Sequence, residues 1–244
     1  KMEYQGVVVT SAMFMTSCAI NPLVVELAKK TANVSLSWGT WALAAIVPGL
    51  ISLILVPFLL YKLYPPEIKA TPQASQLAHA ELEKMGPMSR REKMMIAVFL
   101  VILALWVTGE WNKLDATIVA LLGVSIMLIT RVIRWDDVLA EKGAWDALIW
   151  FGGLVMMAGQ LNTLGLMKWF ASTAGSSVAG MRWFAALIVL ILVYFYSHYG
   201  FASLTAHTTA LFPPFLAVII AAQAPPYIAT LALAFFPSLC AAIT

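Results

Sequence analysis

Two stretches of small polar residues interrupt otherwise apolar sequence, Thr16-Ser-Cys-Ala-Ile-Asn-Pro22 and His198-Tyr-Gly-Phe-Ala-Ser-Leu-Thr-Ala-His-Thr-Thr209. Their hydroxyls, carboxamide and imidazoles are hydrogen-bonding groups without fixed charge. Such a set can hold a small carboxylate dianion without the cost of burying several fixed cations. Ser203, Thr205, His207 and Thr208 in the second stretch, with Asn21 in the first, are the candidate substrate ligands. Ser203-Leu-Thr205 also opens a helical run, so the amides of Ala206 to Thr208 are placed to meet an anion at a helix N-terminus. Other chemistry fits less well. Ser203 and His207 stand four apart like a serine-hydrolase dyad, but the local text Gly200-Phe-Ala-Ser203 is no Gly-x-Ser-Gly turn and no orienting acid is near in sequence. An enzyme is not expected. Glu26, inside an apolar stretch, either pairs with Lys29 or Lys30 on one helix face or handles a proton or cation.

The elements that position these residues follow from composition. Of 244 residues, 61% are hydrophobic and 11% charged, against roughly 25% charged in soluble domains. This predicts an all-α polytopic membrane protein. The charges segregate: Lys62, Lys69, Lys84, Arg90, Arg91 and Lys93 crowd one connector. A net charge of +3 so arranged reports membrane topology, not nucleic-acid binding. Cys18 and Cys240 lie in apolar segments and form no disulfide framework. The chain opens at Lys1 in an apolar run and stops in another, so an internal fragment of a longer protein is expected.

A crossing helix needs ~20 apolar residues, and the runs Trp38 to Tyr64, Lys93 to Glu110 and Leu114 to Arg131 are read as spans. Pro48 and Pro57 predict kinks in the first, and Ser89-Arg-Arg-Glu92 announces the second as a capping box. Between them a short amphipathic helix, Leu77, Ala78, Leu82 and Met85 against Gln76, Glu81, Glu83 and Lys84, reads either as a solvated loop helix or as a strut on the membrane. Its basic residues place it on the cytoplasmic side, with Lys29, Lys30 and Trp111-Asn-Lys113 outside and Arg131, Arg134 and Lys142 inside. Trp145 to Leu164 then exits, its Gly152, Gly153 and Gly159 suggesting close helix contacts. From Arg182 to Ala222 two segments, each somewhat short to span, suggest a re-entrant hairpin with the polar cluster at its tip. Gly6 to Met15 and Leu23 to Lys30 are read as half-helices around Asn21-Pro22. Backbone that leaves the helix in a membrane must be satisfied by protein or line a cavity, which makes both breaks candidate cargo sites.

The run Phe201-Ala-Ser-Leu-Thr-Ala-His-Thr-Thr-Ala-Leu-Phe-Pro213 resembles the second Ser-Asn-Thr signature of the divalent-anion:sodium symporter family. Thr16-Ser-Cys-Ala-Ile-Asn-Pro22 is similar to that family's first broken helix, usually worded Thr-Gly-Thr-Pro-Pro-Asn, and Trp145 to Gly165 sits where the family has a similar stretch. Ser203, Thr205 and Asn21 match the family's residues. Leu204 stands where the family has Asn, Ser17 where it has Gly, and Cys18 where it has Thr. The wording is closer to the exchanger branch, which includes plastid 2-oxoglutarate/malate translocators and bacterial citrate or tartrate:succinate antiporters.

The resemblance implies part of an inverted-repeat secondary transporter with scaffold and transport domains. Its expected action is elevator-like exchange of dicarboxylates or tricarboxylates such as malate, 2-oxoglutarate, succinate, citrate or tartrate. The alternative it leaves is sodium-coupled symport, with Thr16, Ser17, Asn21 and Ser203 as ion ligands. No cofactor is implied beyond that sodium ion. His207 stands at a small hydroxyl position of the family, and is read either as a neutral bundle histidine or as supplying donors, or a charge, in place of sodium. The implied partners are the substrate, membrane lipid and a second copy in a homodimer, with no nucleic acid. The expected location is a bacterial inner membrane, with the plastid inner envelope as the alternative. The expected division is a broken helix at 1–30, a span at 31–64 and a cytoplasmic connector at 65–92. Second-repeat helices follow at 93–181, then a re-entrant hairpin at 182–222 and the start of a second broken helix at 223–244.

Overall fold

The computed structural model describes residues 2–65, 73–201 and 203–243. Expectations that involve Lys1, residues 66–72 of the connector (Lys69 among them), Ala202 of the signature and Thr244 lie outside the described residues. The chain divides into two units, residues 1–54 with 142–244, and residues 55–141.

The first unit opens with α1 (Met2–Met13) and α2 (Ile20–Ala32). The break between them covers Phe14 to Ala19 and so lies earlier than the sequence suggested. Asn21 and Pro22 are instead in the first turn of α2, where a proline's missing amide costs no intrahelical bond. Ile20, Leu23, Val24, Leu27 and Ala28 recur at helical spacing and are buried. On the outer face Glu26 pairs with Lys30 at 3.3 Å, the surface reading of that carboxylate. α3 (Trp38–Leu63) has 26 residues and passes Pro48 and Pro57 without ending; at 1.5 Å per residue it rises ~39 Å, enough to cross a bilayer. Trp41, fully buried, donates its indole N–H to the Ala12 carbonyl at 2.9 Å. One turn or two further, Gly49 leaves room for Met13: a Cβ there would lie 2.5 Å from Met13 Cγ.

The second unit holds the exposed α4 (Ala74–Met85), ended by Gly86 at φ +69°. Both its apolar and its polar faces are exposed. α5 (Arg90–Val107) begins with the expected capping box: the Ser89 amide donates to Glu92 Oε2 at 2.6 Å, and the Glu92 amide to Ser89 Oγ at 3.3 Å. The Ser89 amide, then its hydroxyl, hold the Glu92 carboxyl below the ordinary glutamate value. After the short α6 (Gly109–Asn112), α7 (Ala116–Ile129) is capped by Asp115, which accepts from the Thr117 amide at 2.8 Å. Val98 and Ile102 pack on Val119, and Ile102 fills the space over Gly123. α8 (Trp135–Ala140) closes this unit.

The first unit resumes with α9 (Lys142–Thr163), which turns at Gly165 (φ +87°) into α10 (Leu166–Gly175). This doubling back is absent from the sequence reading, which ran one exit helix and then a gap to Arg182. α11 (Trp183–Ser197) continues as a 3₁₀ turn through Gly200, and α12 (Leu204–Ala221) follows. α12 packs against α2, α9, α10, α11 and α13 (Pro226–Ala234), and also against α14 (Phe236–Leu239), placing it at the centre of the unit.

Two span assignments change. Among the described residues, Trp38–Leu63, Lys142–Leu161, Trp183–Gly200 and Leu204–Ala221 are long and apolar enough to cross a membrane. The two arms around the second polar cluster, expected to be short, therefore qualify. α7 does not: its cap at Asp115 and the left-handed Arg131 confine it to 14 residues, ~21 Å of rise against ~30 Å of hydrocarbon. α5 has 18 residues, but its first turn carries Arg90, Arg91, Glu92 and Lys93. Gly152, Gly153 and Gly159 also differ from expectation, since nothing among the described residues approaches within 4 Å of a Cβ built there.

Replacing Gly49 with Val forces Met13 from its seat and is expected to destabilise the protein by about 1–3 kcal/mol. A double-mutant cycle with Met13→Ala, read by thermal unfolding in detergent, should show the two losses to be strongly non-additive. At the α5 cap, the lowered folded value means that the contribution of Glu92 is full above its unfolded pKa of roughly 4.3 and fades as pH falls through the lowered value. Ser89→Ala should move the Glu92 titration upward, followed by the carboxyl chemical shift of labelled glutamate.

Candidate functional site

Ser203 is the N-cap of α12, in extended backbone conformation, and its hydroxyl accepts from the Ala206 amide at 3.4 Å. The His207 amide already donates to the Ser203 carbonyl at 3.0 Å. The amides of Leu204 and Thr205 are therefore the ones that helix geometry leaves without an intrahelical partner. The anion-facing end of α12 is shifted toward its start from the Ala206-to-Thr208 set expected from sequence.

Ser203, Thr205 and Ala206 form one wall of a cleft of about 420 Å³. The other wall is a single face of α9: Asp146, Ala147, Trp150, Phe151 and Leu154. Positions i, i+1, i+4, i+5 and i+8 fall on one side of a helix, a pattern present in the sequence but not recognised there as a site wall. The cleft thus combines hydroxyls and a helix N-terminus, an aromatic and aliphatic floor, and one carboxylate.

His207 and Thr208, also expected among the substrate ligands, do not line this cleft. At about 100° per residue His207 lies nearly opposite Thr205, whereas Thr208, three residues on, shares its side of the helix; both are fully buried. The His207 Nε2 lies 3.1 Å from the Tyr194 carbonyl and 3.0 Å from Ser197 Oγ. Its ring packs on Tyr194, His198 and Phe201, with centroids 4.4, 5.0 and 5.1 Å away. A carbonyl only accepts, so Nε2 carries the hydrogen. This is the bundle-histidine reading of His207. His198 is buried beside it, and His79 is exposed on α4. Among the described residues, Tyr194 Oη, His198 Nδ1, His207 Nδ1 and Thr208 Oγ1 are buried without a hydrogen-bond partner.

The first break is organised differently. Asn21 is fully buried, its Nδ2 donating to the carbonyls of Ser11 at 2.7 Å and Phe14 at 3.0 Å. Its Oδ1 accepts from Ser238 Oγ at 2.7 Å. Both amide hydrogens are used, so Asn21 joins α1, α2 and α14 instead of offering a free donor to substrate. Ser17 Oγ lies 2.7 Å from the Phe14 carbonyl, 2.9 Å from that of Ser11 and 3.1 Å from that of Thr10. Thr16 Oγ1 accepts from the Trp38 indole at 3.1 Å. Of the residues named as sodium ligands in this break, Ser17 and Asn21 are thus engaged at the carbonyl end of α1 and Thr16 with α3. The structure brings Ser203 and Thr205 to one cleft and leaves Thr16, Ser17 and Asn21 out of its lining.

The helical architecture and the span-length apolar helices define an all-α polytopic membrane protein. The model of the sodium:sulfate symporter transmembrane region matches residues 1–244, and the chain belongs to that family. It is 51% identical over 239 residues to YflS of Bacillus subtilis (strain 168), proposed to be a malate transporter, covering 98% of this chain and 50% of that protein. It is 47% identical over 243 residues to the chloroplastic dicarboxylate transporter 1 of Arabidopsis thaliana, covering 99% and 44%. An L-tartrate/succinate antiporter of Escherichia coli (strain UTI89) is 38% identical over 213 residues, covering 87% and 44%. The chain spans half or less of the length of these relatives.

Asn21→Ala would take one donor from each of the Ser11 and Phe14 carbonyls, which keep Ser17 beside them, and leave the buried Ser238 hydroxyl unpaired, which should cost about 1–3 kcal/mol. Thermal unfolding should show this loss, and Ser238→Ala made in the Asn21→Ala background should cost little further. A near-neutral Asn21→Ala would remove the assigned positioning role.

Proposed function

We propose that the full-length protein is a dicarboxylate exchanger that moves malate-like acids across a membrane by an elevator-like displacement. One observation carries this reading: Ser203, Thr205 and the N-terminus of α12 meet in a single cleft. A carboxylate docked there would accept from two hydroxyls and the free amides of Leu204 and Thr205, with the helix dipole adding to the attraction. Among the described residues the cleft lining carries no lysine or arginine, so its attraction for a dianion rests on neutral donors. Trp150, Phe151 and Leu154 would pack against the carbon chain. The names of the relatives, covering dicarboxylate transport and tartrate/succinate antiport, support the same substrate class. The sealed carbonyl end of α1 favours exchange over sodium coupling. A cation there would compete with Ser17 and Asn21 for the carbonyls of Ser11 and Phe14. We place the protein as a homodimer in a bacterial inner membrane.

The test is uptake of labelled malate into proteoliposomes of the full-length protein, preloaded with 2-oxoglutarate or empty, with and without a sodium gradient. Uptake should require the internal dicarboxylate and ignore sodium. Ser203→Ala and Thr205→Ala should each raise KM, on the order of tenfold for loss of a hydrogen bond to a charged group. Sodium-driven uptake into empty vesicles would replace exchange with symport.

A further inference from the structure

Among the described residues Asp146 is the one charged member of the cleft lining, and it has no place in a site described only as an anion acceptor. It lies on α9, one turn before Trp150 and across from Ser203 and Thr205. Its side chain is exposed and, among the described residues, forms no hydrogen bond or ion pair. A carboxylate there repels any substrate carboxylate brought against it. It therefore fixes how a dianion lies, with the charged end at the amides and hydroxyls of α12 and some other part of the molecule toward α9.

A carboxylate only accepts hydrogen bonds. The α12 wall supplies donors suited to a substrate carboxylate; the α9 wall supplies an exposed acceptor to which a substrate O–H or N–H can donate in place of water. Methylene and keto groups offer neither. A carbonyl oxygen turned toward Asp146 would set two acceptors against each other. A 2-hydroxyl donates directly and leaves the carboxylate paired.

Resting on the transport reading above, we propose that Asp146 reads the hydroxyl of a 2-hydroxy dicarboxylate, making the cleft selective for malate-type acids over succinate and 2-oxo acids. The selectivity comes from one charge-assisted hydrogen bond, and the same carboxylate disfavours a third substrate carboxylate directed at α9, so tricarboxylates are excluded by the same residue. The remainder of the α9 face contributes shape: Trp150, Phe151 and Leu154 contact carbon and carry no second acceptor carboxylate.

The experiment is counterflow in proteoliposomes of the full-length protein preloaded with unlabelled L-malate, with labelled L-malate, succinate and 2-oxoglutarate measured in parallel outside. Wild type should show the lower KM for malate. Asp146→Ala should raise the ratio of malate KM to succinate KM on the order of tenfold, the loss expected for a hydrogen bond to a charged group. Asp146→Asn, which keeps an acceptor oxygen but loses the charge, should fall between. Inhibition of malate counterflow by external citrate should strengthen in Asp146→Ala. An equal malate and succinate KM in wild type, an unchanged ratio in the variants, or loss of both substrates in parallel overturns the assignment. Absence of exchange with every dicarboxylate in wild type instead removes the transport reading itself, and this assignment with it.

Discussion

Helix ends inside a membrane set the terms for the rest of this structure. Hydrocarbon satisfies no backbone group, so each amide or carbonyl released at a break must find a partner in the protein or open onto a cavity. The two breaks resolve that requirement in opposite ways. At the end of α1 the released groups are carbonyls, and Ser17 and Asn21 supply donors to Thr10, Ser11 and Phe14. At the start of α12 the released groups are amides. Only one of those first-turn amides, that of Ala206, is taken by the cap hydroxyl of Ser203. A sealed negative end and an open positive end give the unit its polarity toward anions.

The central position of α12 makes this open end rigid. Phe212, Pro213, Pro214, Phe215 and Leu216 are buried in succession, an all-round apolar stretch that fits a helix enclosed by neighbours. Pro213 and Pro214 remove two amides from the ladder and free the carbonyls one turn earlier. Thr209 lies in that turn, with its hydroxyl bonded back to the Thr205 carbonyl at 2.7 Å. Buried behind the cleft residues, the Tyr194, His198 and His207 group fixes the rotation of the helix by ring packing and the His207 bond to the Tyr194 carbonyl. A change in that buried group would turn Ser203 and Thr205 relative to α9. The hydroxyl pair and the histidine therefore act through one rigid element.

Much of this was legible in the sequence, and what escaped it did so for identifiable reasons. The α5 capping box, the length of α3 and the Glu26–Lys30 pair depend on residues within a turn of one another, and such local relations are present in the sequence. The existence of both breaks was also legible, from polar text in an apolar run. Their registers were not. Asn21-Pro22 looks like a helix breaker, but proline in the first turn of a helix is permitted, so the break moved forward to Phe14 through Ala19. The roles of Asn21 and His207 depended on which way each side chain faces. A hydrogen bond from Ser238 to Asn21, 217 residues apart, has no sequence signature. The α9–α10 turn was hidden because Gly165 follows an apolar run that could equally have ended, and nothing local requires the chain to fold back.

The composition of the cleft bears on why exchange suits it. Dianion binding by fixed cations in a low-dielectric setting is strong and correspondingly slow to reverse, since strong charge attraction must be undone at release. Neutral donors give a shallower well, and an exchanger must release its cargo on both faces of the membrane. Neutral donors alone discriminate poorly among dicarboxylates, because every member of the class presents the same carboxylate. Discrimination has to come from the part of the molecule between the carboxylates, and α9 is the wall that faces it. A single acceptor among carbon-lined positions separates a hydroxyl from a methylene without deepening the well for the carboxylates themselves. On the proposed reading, affinity and selectivity belong to different helices, α12 and α9, so that either can vary while the other is retained.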